Sequence, residues 1–452
     1  MEASPSAPVS TPPAHEAEAT EEPSPGPSRP PEPVLISAAL PPNRIIRTRK
    51  VWSKLLHAAV LPLLVGVAVF WLEGEFSADL FQRAWPVMAL LAAAYVGAWV
   101  LSSKFERFPF INQFEGALVS VSVTLVPAGL VFAAQPGSPI NTLALIATGG
   151  SIGWYLADKF LHRYRTSRLL VLPGGVSERL LAAPGITREA SEGLHSGGLD
   201  GIVADLHASL PDAQTFLADY SMRGLPTYHT GYIYELLTAR VLLGATCEAS
   251  VDLRTRRYYP YVKRAMDLIL IGISLPITGP IMALTALAIR LESTGPVLFW
   301  QERVGRGGET FQMAKFRSMY AGNAGEDDDV FASEADDRVT WVGRIIRKLR
   351  IDELPQFWNV VKGEMSLIGP RPEQVGLAED FNDSLSLYHT RHLVRPGITG
   401  WAQVLHGYAA DEDETRRKLE HDLYYVKHRS VILDLLITYL TLKTILTGFG
   451  AR

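Results

Sequence analysis

Four long apolar stretches precede residue 160 and set the first expectation about the architecture of the chain. Each is close to the length that a helix needs to cross the hydrocarbon core of a bilayer. The pattern therefore predicts a four-helix transmembrane bundle over residues 43–167. The stretches are residues 55–72, 84–101, 114–133 and 140–157.

Basic residues flank these stretches unevenly, which indicates the orientation of the bundle. They cluster before the first stretch, between the second and third, and after the fourth, whereas the other two loops hold one basic residue, Arg83. Because basic residues concentrate on the cytoplasmic side of membrane proteins, both ends of the bundle are expected in the cytoplasm. Four buried helices of a soluble protein are the alternative.

The segments on either side of the bundle are polar enough to be soluble. Residues 1–42 are rich in proline, serine, alanine and glutamate, which predicts a disordered tail. Residues 168–250 alternate short apolar strands with helical segments, which predicts a small α/β module of degenerate Rossmann type. The turn at Pro173-Gly174-Gly175 lacks the dinucleotide fingerprint, so we expect a structural or regulatory module without a nucleotide.

A fifth apolar segment, residues 268–289, has the length of a membrane helix but is flanked by basic residues on both sides. Both of its ends are therefore expected in the cytoplasm. Pro276 and Pro280 lie in its middle, and a proline kinks a helix because it removes a backbone donor. We predict a re-entrant helix that enters and leaves the membrane on one face; a kinked spanning helix is the alternative.

Overall composition narrows the function less than the local motifs do. The formal net charge is −4 and charged residues make up 20% of the chain, so overall charge does not indicate a nucleic-acid partner. Cys247 is the single cysteine, which excludes an internal disulfide.

The segment after residue 300 carries four cations in settings that suit phosphate. Lys315 and Arg317 are two apart in an alternating stretch, so both are expected on one face of a strand. Arg371 lies between two prolines and Arg395 precedes a Pro-Gly turn, and a stiff backbone presents each guanidinium for bidentate phosphate binding. A solvated strand face is the alternative for the first two.

Asp352 and Glu353 form an acidic pair bordered by basic residues. The apolar spacing after Pro355 predicts a helix, with the pair at or near its N-terminus. These residues alone leave two interpretations open: an N-terminal cap, or a carboxylate nucleophile with an acidic neighbour. Adjacent residues on a helix do not face each other, so we expect distinct roles rather than a shared proton.

Eight motifs between residues 258 and 452 resemble, in order, those of the bacterial sugar transferase family, the monotopic phosphoglycosyl transferases that start lipid-linked glycan assembly. The bundle and the module resemble the long-form members, which begin exopolysaccharide or O-antigen synthesis. The motifs are Lys263-Arg264-Ala265-Met266-Asp267, the apolar segment broken at Gly279-Pro280, Gly295-Pro296-Val297-Leu298-Phe299, Gln301-Glu302-Arg303-Val304-Gly305, Lys315-Phe316-Arg317-Ser318-Met319, Asp352-Glu353-Leu354-Pro355-Gln356, Gly369-Pro370-Arg371-Pro372 and Arg395-Pro396-Gly397-Ile398-Thr399-Gly400.

The resemblance implies a mostly helical α/β catalytic domain that carries the re-entrant helix. It also implies a reaction, in which Asp352 attacks the β-phosphate of a UDP-sugar and UMP leaves. Undecaprenyl phosphate then takes the sugar phosphate from the aspartyl intermediate. Glu353 supports proton transfer or metal positioning, and Mg²⁺, bound in part by Asp352, offsets the charge of the diphosphate.

The resemblance also implies roles for the four cations. Arg371 and Arg395 are expected near the nucleotide phosphates, and Lys315 and Arg317 are expected to recognise phosphate. Glucose or galactose is the first expectation for the sugar and an N-acetylhexosamine the second. The protein is expected in the bacterial inner membrane with a cytoplasmic catalytic domain; a homodimer is compatible with the sequence.

Two other classes of protein fit part of the sequence. A non-catalytic membrane scaffold or regulator of polysaccharide export would keep the bundle and the module but would not need an acidic pair among cations. A metal-dependent glycosyltransferase would need a D-x-D motif inside a larger nucleotide-binding domain. Asp411-Glu412-Asp413 matches that motif but lies in a charged, helix-like run near the C-terminus.

Overall fold

A computed structural model describes residues 33–38, 167–184, 186–189, 199–205, 211–243, 258–320, 338–405 and 412–447. The four predicted spans and the D-x-D match lie outside the residues whose side chains are described. Within the described ranges the protein is a mixed α/β structure with two cores, one in the predicted module and one in the predicted catalytic domain.

The module is a five-stranded sheet with the strand order β3-β1-β2-β4-β5. Strand β1 pairs antiparallel with β2 and β3, whereas β2, β4 and β5 run parallel, as expected for an α/β unit. Its elements are β1 (Val34–Ala38), β2 (Ser167–Val171), α1 (Ser177–Leu181), β3 (Ile186–Glu189), β4 (Gly201–Ala204), α2 (Pro211–Met222), β5 (Thr227–His229) and α3 (Thr230–Thr238).

The prediction of a disordered tail is wrong for β1. Leu35 and Ile36 are fully buried in the sheet, and β1 pairs with β2 over five residues. The apolar run of Val34–Ala38 is too short to change the average composition of the tail, yet it buries enough surface to be ordered by the strands beside it.

The remaining elements build the second domain around one long helix and several short strands. The hairpin β6–β7 is antiparallel, and β8 and β9 form a parallel pair. The elements are α4 (Tyr259–Glu292), β6 (Leu298–Val304), β7 (Thr310–Phe316), α5 (Trp341–Lys348), α6 (Gln356–Lys362), β8 (Ser366–Ile368), α7 (Val375–Ser384), β9 (Gly397–Thr399), α8 (Trp401–Leu405), α9 (Glu412–His428) and α10 (Val431–Thr447).

Helix α4 is, within the described ranges, the one helix long and apolar enough to cross a membrane. Ile271 belongs to an apolar cluster with Met313, and Ile289, near the C-terminal end of the helix, belongs to one with Phe316. Both clusters include a residue of strand β7, whereas the residues from Gly272 to Leu284 are exposed or half-buried. The domain therefore holds the helix on both sides of an apolar middle part that is largely exposed.

Two hydroxyl groups lie beside the prolines of α4, where the backbone ladder is interrupted. Ser274 Oγ donates to the carbonyl of Ile271 at 2.9 Å, and Thr278 Oγ1 donates to that of Ser274 at 3.1 Å. The prolines leave the carbonyls of Gly272 and Pro276 without their helical donors, and the two hydroxyl bonds go to neighbouring carbonyls; such back-bonding often bends a helix.

The module docks on α9 of the catalytic domain. Glu420 of α9 accepts a hydrogen bond from Tyr234 Oη at 3.2 Å, and its backbone carbonyl accepts from Val241 N–H at 3.0 Å. Ala239, Val241 and Leu243 pack in the catalytic core, where Trp401 Nε1 donates to the carbonyl of Ala239 at 3.1 Å. The predicted module boundary at residue 250 is thus too late, because the chain enters the second core before it.

Candidate active site

A tight turn, rather than a helix cap, presents the acidic pair. Helix α5 ends at Lys348, and Arg350 then adopts a left-handed backbone with a φ of 57°, which reverses the chain into a 3-10 turn at Ile351–Glu353. Helix α6 begins only at Gln356, and Pro355 at its N-cap makes no side-chain capping bond. The helix was therefore predicted correctly, but capping does not explain Asp352.

Glu353 is held by arginines at the bottom of the site. Its carboxylate is buried, and Oε1 lies 2.9 Å from Arg371 Nη2 and 3.5 Å from Arg350 Nη1. Burial alone raises the pKa of Glu353, but the charges of Arg371 and Lys315 outweigh it and lower the pKa to about 2. Glu353 is therefore ionised at neutral pH and fixes the guanidinium of Arg371.

The pKa of the neighbouring Asp352 is shifted in the opposite direction to that of Glu353. Burial, and then the negative charge of Glu353, raises the pKa of Asp352 to about 6. Its Oδ1 is buried and has no hydrogen-bond partner among the residues that the structure describes. A buried, unpartnered carboxylate oxygen is costly, and sites of this kind are typical of groups that meet a ligand.

Lys315 faces both carboxylates from strand β7. Burial, followed by repulsion from Arg371, lowers the pKa of Lys315 to about 8, while the charges of Glu353 and Asp352 favour its ionised form. Asn359 fixes the strand beside it: its Oδ1 accepts from Ala314 N–H at 3.0 Å and its Nδ2 donates to the carbonyl of Gln312 at 2.7 Å. Asn359 carried no signal in the sequence, because its partners lie 45 and 47 residues away.

The other two predicted cations lie elsewhere. Arg317 donates to the backbone carbonyls of Ser293 and Thr294 and so closes the C-terminal end of α4. Burial and the charges of Arg264 and Arg306 lower the pKa of Arg395, which places it among other arginines. Arg317 is thus engaged at the end of helix α4, whereas Lys315 faces the acidic pair, and phosphate recognition by these two residues stays a prediction.

The carboxylates can be compared with the needs of Mg²⁺. Within the described residues, no group of three or more histidine, cysteine, aspartate or glutamate side chains converges. Proteins commonly bind Mg²⁺ through one or two carboxylates, with substrate phosphates and water completing the shell. The unpartnered Oδ1 of Asp352 fits that pattern, whereas Glu353 is engaged by Arg371.

Comparisons with known proteins agree with this site. The family described as bacterial sugar transferase matches residues 258–448, which include α4, the acidic pair and both arginine motifs. A protein of Aeromonas hydrophila is 47% identical over 295 residues, which are 64% of this chain and 70% of that protein. The chain belongs to the bacterial sugar transferase family. The family expected from the eight motifs is confirmed.

The names of individual relatives divide between two sugars. The Aeromonas protein is named as a UDP-N-acetylgalactosamine-undecaprenyl-phosphate N-acetylgalactosaminephosphotransferase. A Caulobacter vibrioides protein, 38% identical over 55% of this chain and 87% of its own length, is named as a UDP-glucose:undecaprenyl-phosphate glucose-1-phosphate transferase. An Escherichia coli K12 protein with the same name is 42% identical over 40% of this chain, which spans 39% of that protein.

Proposed function

We propose that this protein transfers a sugar 1-phosphate from a UDP-sugar to undecaprenyl phosphate through a covalent intermediate on Asp352. The observation that carries the proposal is the state of that carboxylate, which is buried, lacks a described partner on Oδ1 and lies beside the Glu353–Arg371 pair. Membership in the family and the names of the relatives support the same reaction.

The protonation states suit a nucleophile with a separate supporting acid. With a pKa of about 6, Asp352 is ionised at neutral pH, and an ionised carboxylate can attack phosphorus. Glu353 keeps its charge because Arg371 pairs with it, so the two carboxylates do not share a proton. Lys315 and Arg371 supply positive charge where the diphosphate would lie.

The reaction then follows in two displacements. An oxygen of Asp352 bonds to the β-phosphorus, the bond from that phosphorus to the oxygen bridging to the α-phosphate breaks, and UMP leaves with the electron pair. An oxygen of undecaprenyl phosphate attacks the same phosphorus and releases Asp352. Mg²⁺, held in part by Asp352, would offset the charge of the diphosphate.

The setting of the reaction is a membrane surface. We infer that α4 is re-entrant in the bacterial inner membrane, because clusters that include residues of strand β7 hold it on both sides of an exposed apolar middle that contains two prolines. That arrangement leaves the acidic pair on the cytoplasmic side with the predicted bundle. The exposed apolar side chains of α4 include those of Ile269, Ile273, Leu275, Ile277 and Leu284.

Different observations support different sugars in the UDP-sugar substrate. Glucose or galactose is the expectation from the resemblance to long-form members, and relatives named for glucose support it. The Aeromonas relative, whose match extends over 295 residues and thus beyond the catalytic segment, supports N-acetylgalactosamine. A panel of UDP-glucose, UDP-galactose, UDP-N-acetylglucosamine and UDP-N-acetylgalactosamine separates these substrates directly.

The test is UMP release by the purified full chain with that panel, with and without undecaprenyl phosphate. Without the acceptor, wild type should retain radiolabelled sugar phosphate on the protein. Asp352→Asn should fold normally, carry no label and lose turnover by several orders of magnitude; Asp380→Asn, which changes an exposed acid on α7, serves as the matched control. Near-normal turnover by Asp352→Asn would overturn the assignment.

A further inference from the structure

Arg391 is a fully charged group in the interior of the catalytic domain, outside the site described above. It lies in the 3-10 turn Tyr388–Leu393, and only 3% of its surface is exposed. Its Nη2 and Nε donate to Oδ2 of Asp422 at 2.8 and 3.2 Å, and its Nη1 donates to Tyr388 Oη at 2.7 Å. A buried ion pair of this kind adds little net stability, because desolvation cancels much of the attraction.

The remaining bond of Arg391 leads to the active site. Its Nη2 also donates to the backbone carbonyl of Arg371 at 2.9 Å. The side chain of Arg371 in turn reaches Glu353 Oε1 at 2.9 Å. One residue thus connects the buried pair to the carboxylate that raises the pKa of Asp352.

The backbone around Arg371 makes this connection stiff. Pro370 has a fixed φ, and its carbonyl accepts from Gly397 N–H at 2.8 Å, while Gly369 N–H donates to the carbonyl of Thr399 at 2.9 Å. On the other side, Glu373 is held by Lys418 Nζ at 2.6 Å. Between these flanks, the bond from Arg391 holds the carbonyl of Arg371 itself and so orients the backbone from which the guanidinium extends.

Helix α9 supplies the partners of this network from one face. Lys418 and Asp422 are four residues apart, so their side chains lie above one another and meet Glu373 and Arg391 respectively. The pair costs desolvation energy without evident gain in stability, so its benefit is better sought in the placement of Arg371.

We propose that Arg391, held by Asp422, is a positioning residue for the transfer reaction: it fixes the Arg371 carbonyl and thereby the guanidinium on Glu353. The proposal rests on the function proposed above. A displaced Arg371 loses its 2.9 Å bond to Glu353 and leaves that buried carboxylate without its nearest arginine partner. Turnover per folded molecule should then fall, an effect that loss of folded protein alone does not produce.

The test compares full-length wild type, Arg391→Lys, Asp422→Asn and Tyr388→Phe for kcat and KM in UMP release. Arg391→Lys keeps the charge but lacks the planar guanidinium that bonds Asp422 and the Arg371 carbonyl at the same time. We expect it to lower kcat/KM per folded molecule by about 10- to 100-fold, the loss that a misplacement near 1 Å can cause. The milder Tyr388→Phe should lower kcat/KM by less.

The matched control is Arg240→Gln, which removes another mostly buried arginine beside α9. Arg240 Nη1 lies 3.7 Å from Glu420 and makes no described contact with Arg371, so its loss should leave kcat/KM per folded molecule unchanged. Thermal unfolding is measured for every variant, so that activities are compared per folded molecule.

A double-mutant cycle of Arg391→Lys with Arg371→Lys provides an independent readout. If Arg391 acts through Arg371, the two losses in kcat/KM are clearly less than additive. Additive losses, or an unchanged kcat/KM in all three folded variants while wild type is active, overturn the positioning role and leave the proposed reaction intact. Wild type inactive on every UDP-sugar rejects both.

Discussion

The rate of the first displacement should depend on pH through the ionisation of Asp352. Because its pKa is about 6, the ionised fraction is about 0.91 at pH 7 and about 0.09 at pH 5, a tenfold difference. Lys315, with a pKa of about 8, should lose its charge on the alkaline side. The two groups together predict a bell-shaped profile with a maximum near pH 7.

The assay must separate the ionisation of Asp352 from that of the acceptor. Undecaprenyl phosphate is a phosphate monoester, and such a group itself titrates near pH 6. The burst of UMP released without undecaprenyl phosphate reports the first displacement alone and should be about tenfold slower at pH 5 than at pH 7. Asp352 itself does not cause acid unfolding, because a carboxyl with a raised pKa stabilises the folded state as pH falls through that value. An equal or faster burst at pH 5, with the protein folded, would refute the reasoning.

Further predictions concern the site, the scaffold and the topology. Glu353→Gln removes the charge that helps to raise the pKa of Asp352, so the acidic limb of the burst should move to lower pH while turnover falls. Asn359→Ala leaves buried backbone groups of β7 unpaired and should destabilise the protein by about 1–3 kcal/mol, measured by thermal unfolding. A cysteine placed at Tyr320 in a cysteine-free background should be labelled only from the cytoplasm; periplasmic labelling would reject the re-entrant helix. A chain that starts at residue 258 should be less stable than one that starts at residue 230, since it lacks the core residues 239–243.

Local sequence was sufficient for the elements whose partners lie close by. Helix α6 after Pro355, the apolar helix α4 and the acidic pair all follow from short-range pattern. Alternation along the strand singled out Lys315 as a candidate for phosphate binding, but it did not indicate that Lys315 would face the acidic pair. The resemblance to a family then gave these residues roles that spacing alone left open.

Distant partners account for what the sequence did not predict. Alternation along the strand predicted that Arg317 lies on the same face as Lys315. It could not show that the guanidinium of Arg317 would donate hydrogen bonds to the carbonyls at the end of α4. Arg391 and Asp422 are 31 residues apart and belong to no pattern that periodicity detects. Such buried pairs become visible only once the chain has folded.

The first strand joins two distant parts of the sequence within the sheet of the module. Ala38 and Ser167 are direct partners in the β1–β2 ladder, so their Cα atoms are about 5 Å apart. Bringing together residues so far apart in sequence costs conformational entropy, which the contacts of β1 must offset. The burial of Leu35 and Ile36 supplies those contacts, so a polar residue in place of Ile36 should release β1 and expose the edges of β2 and β3.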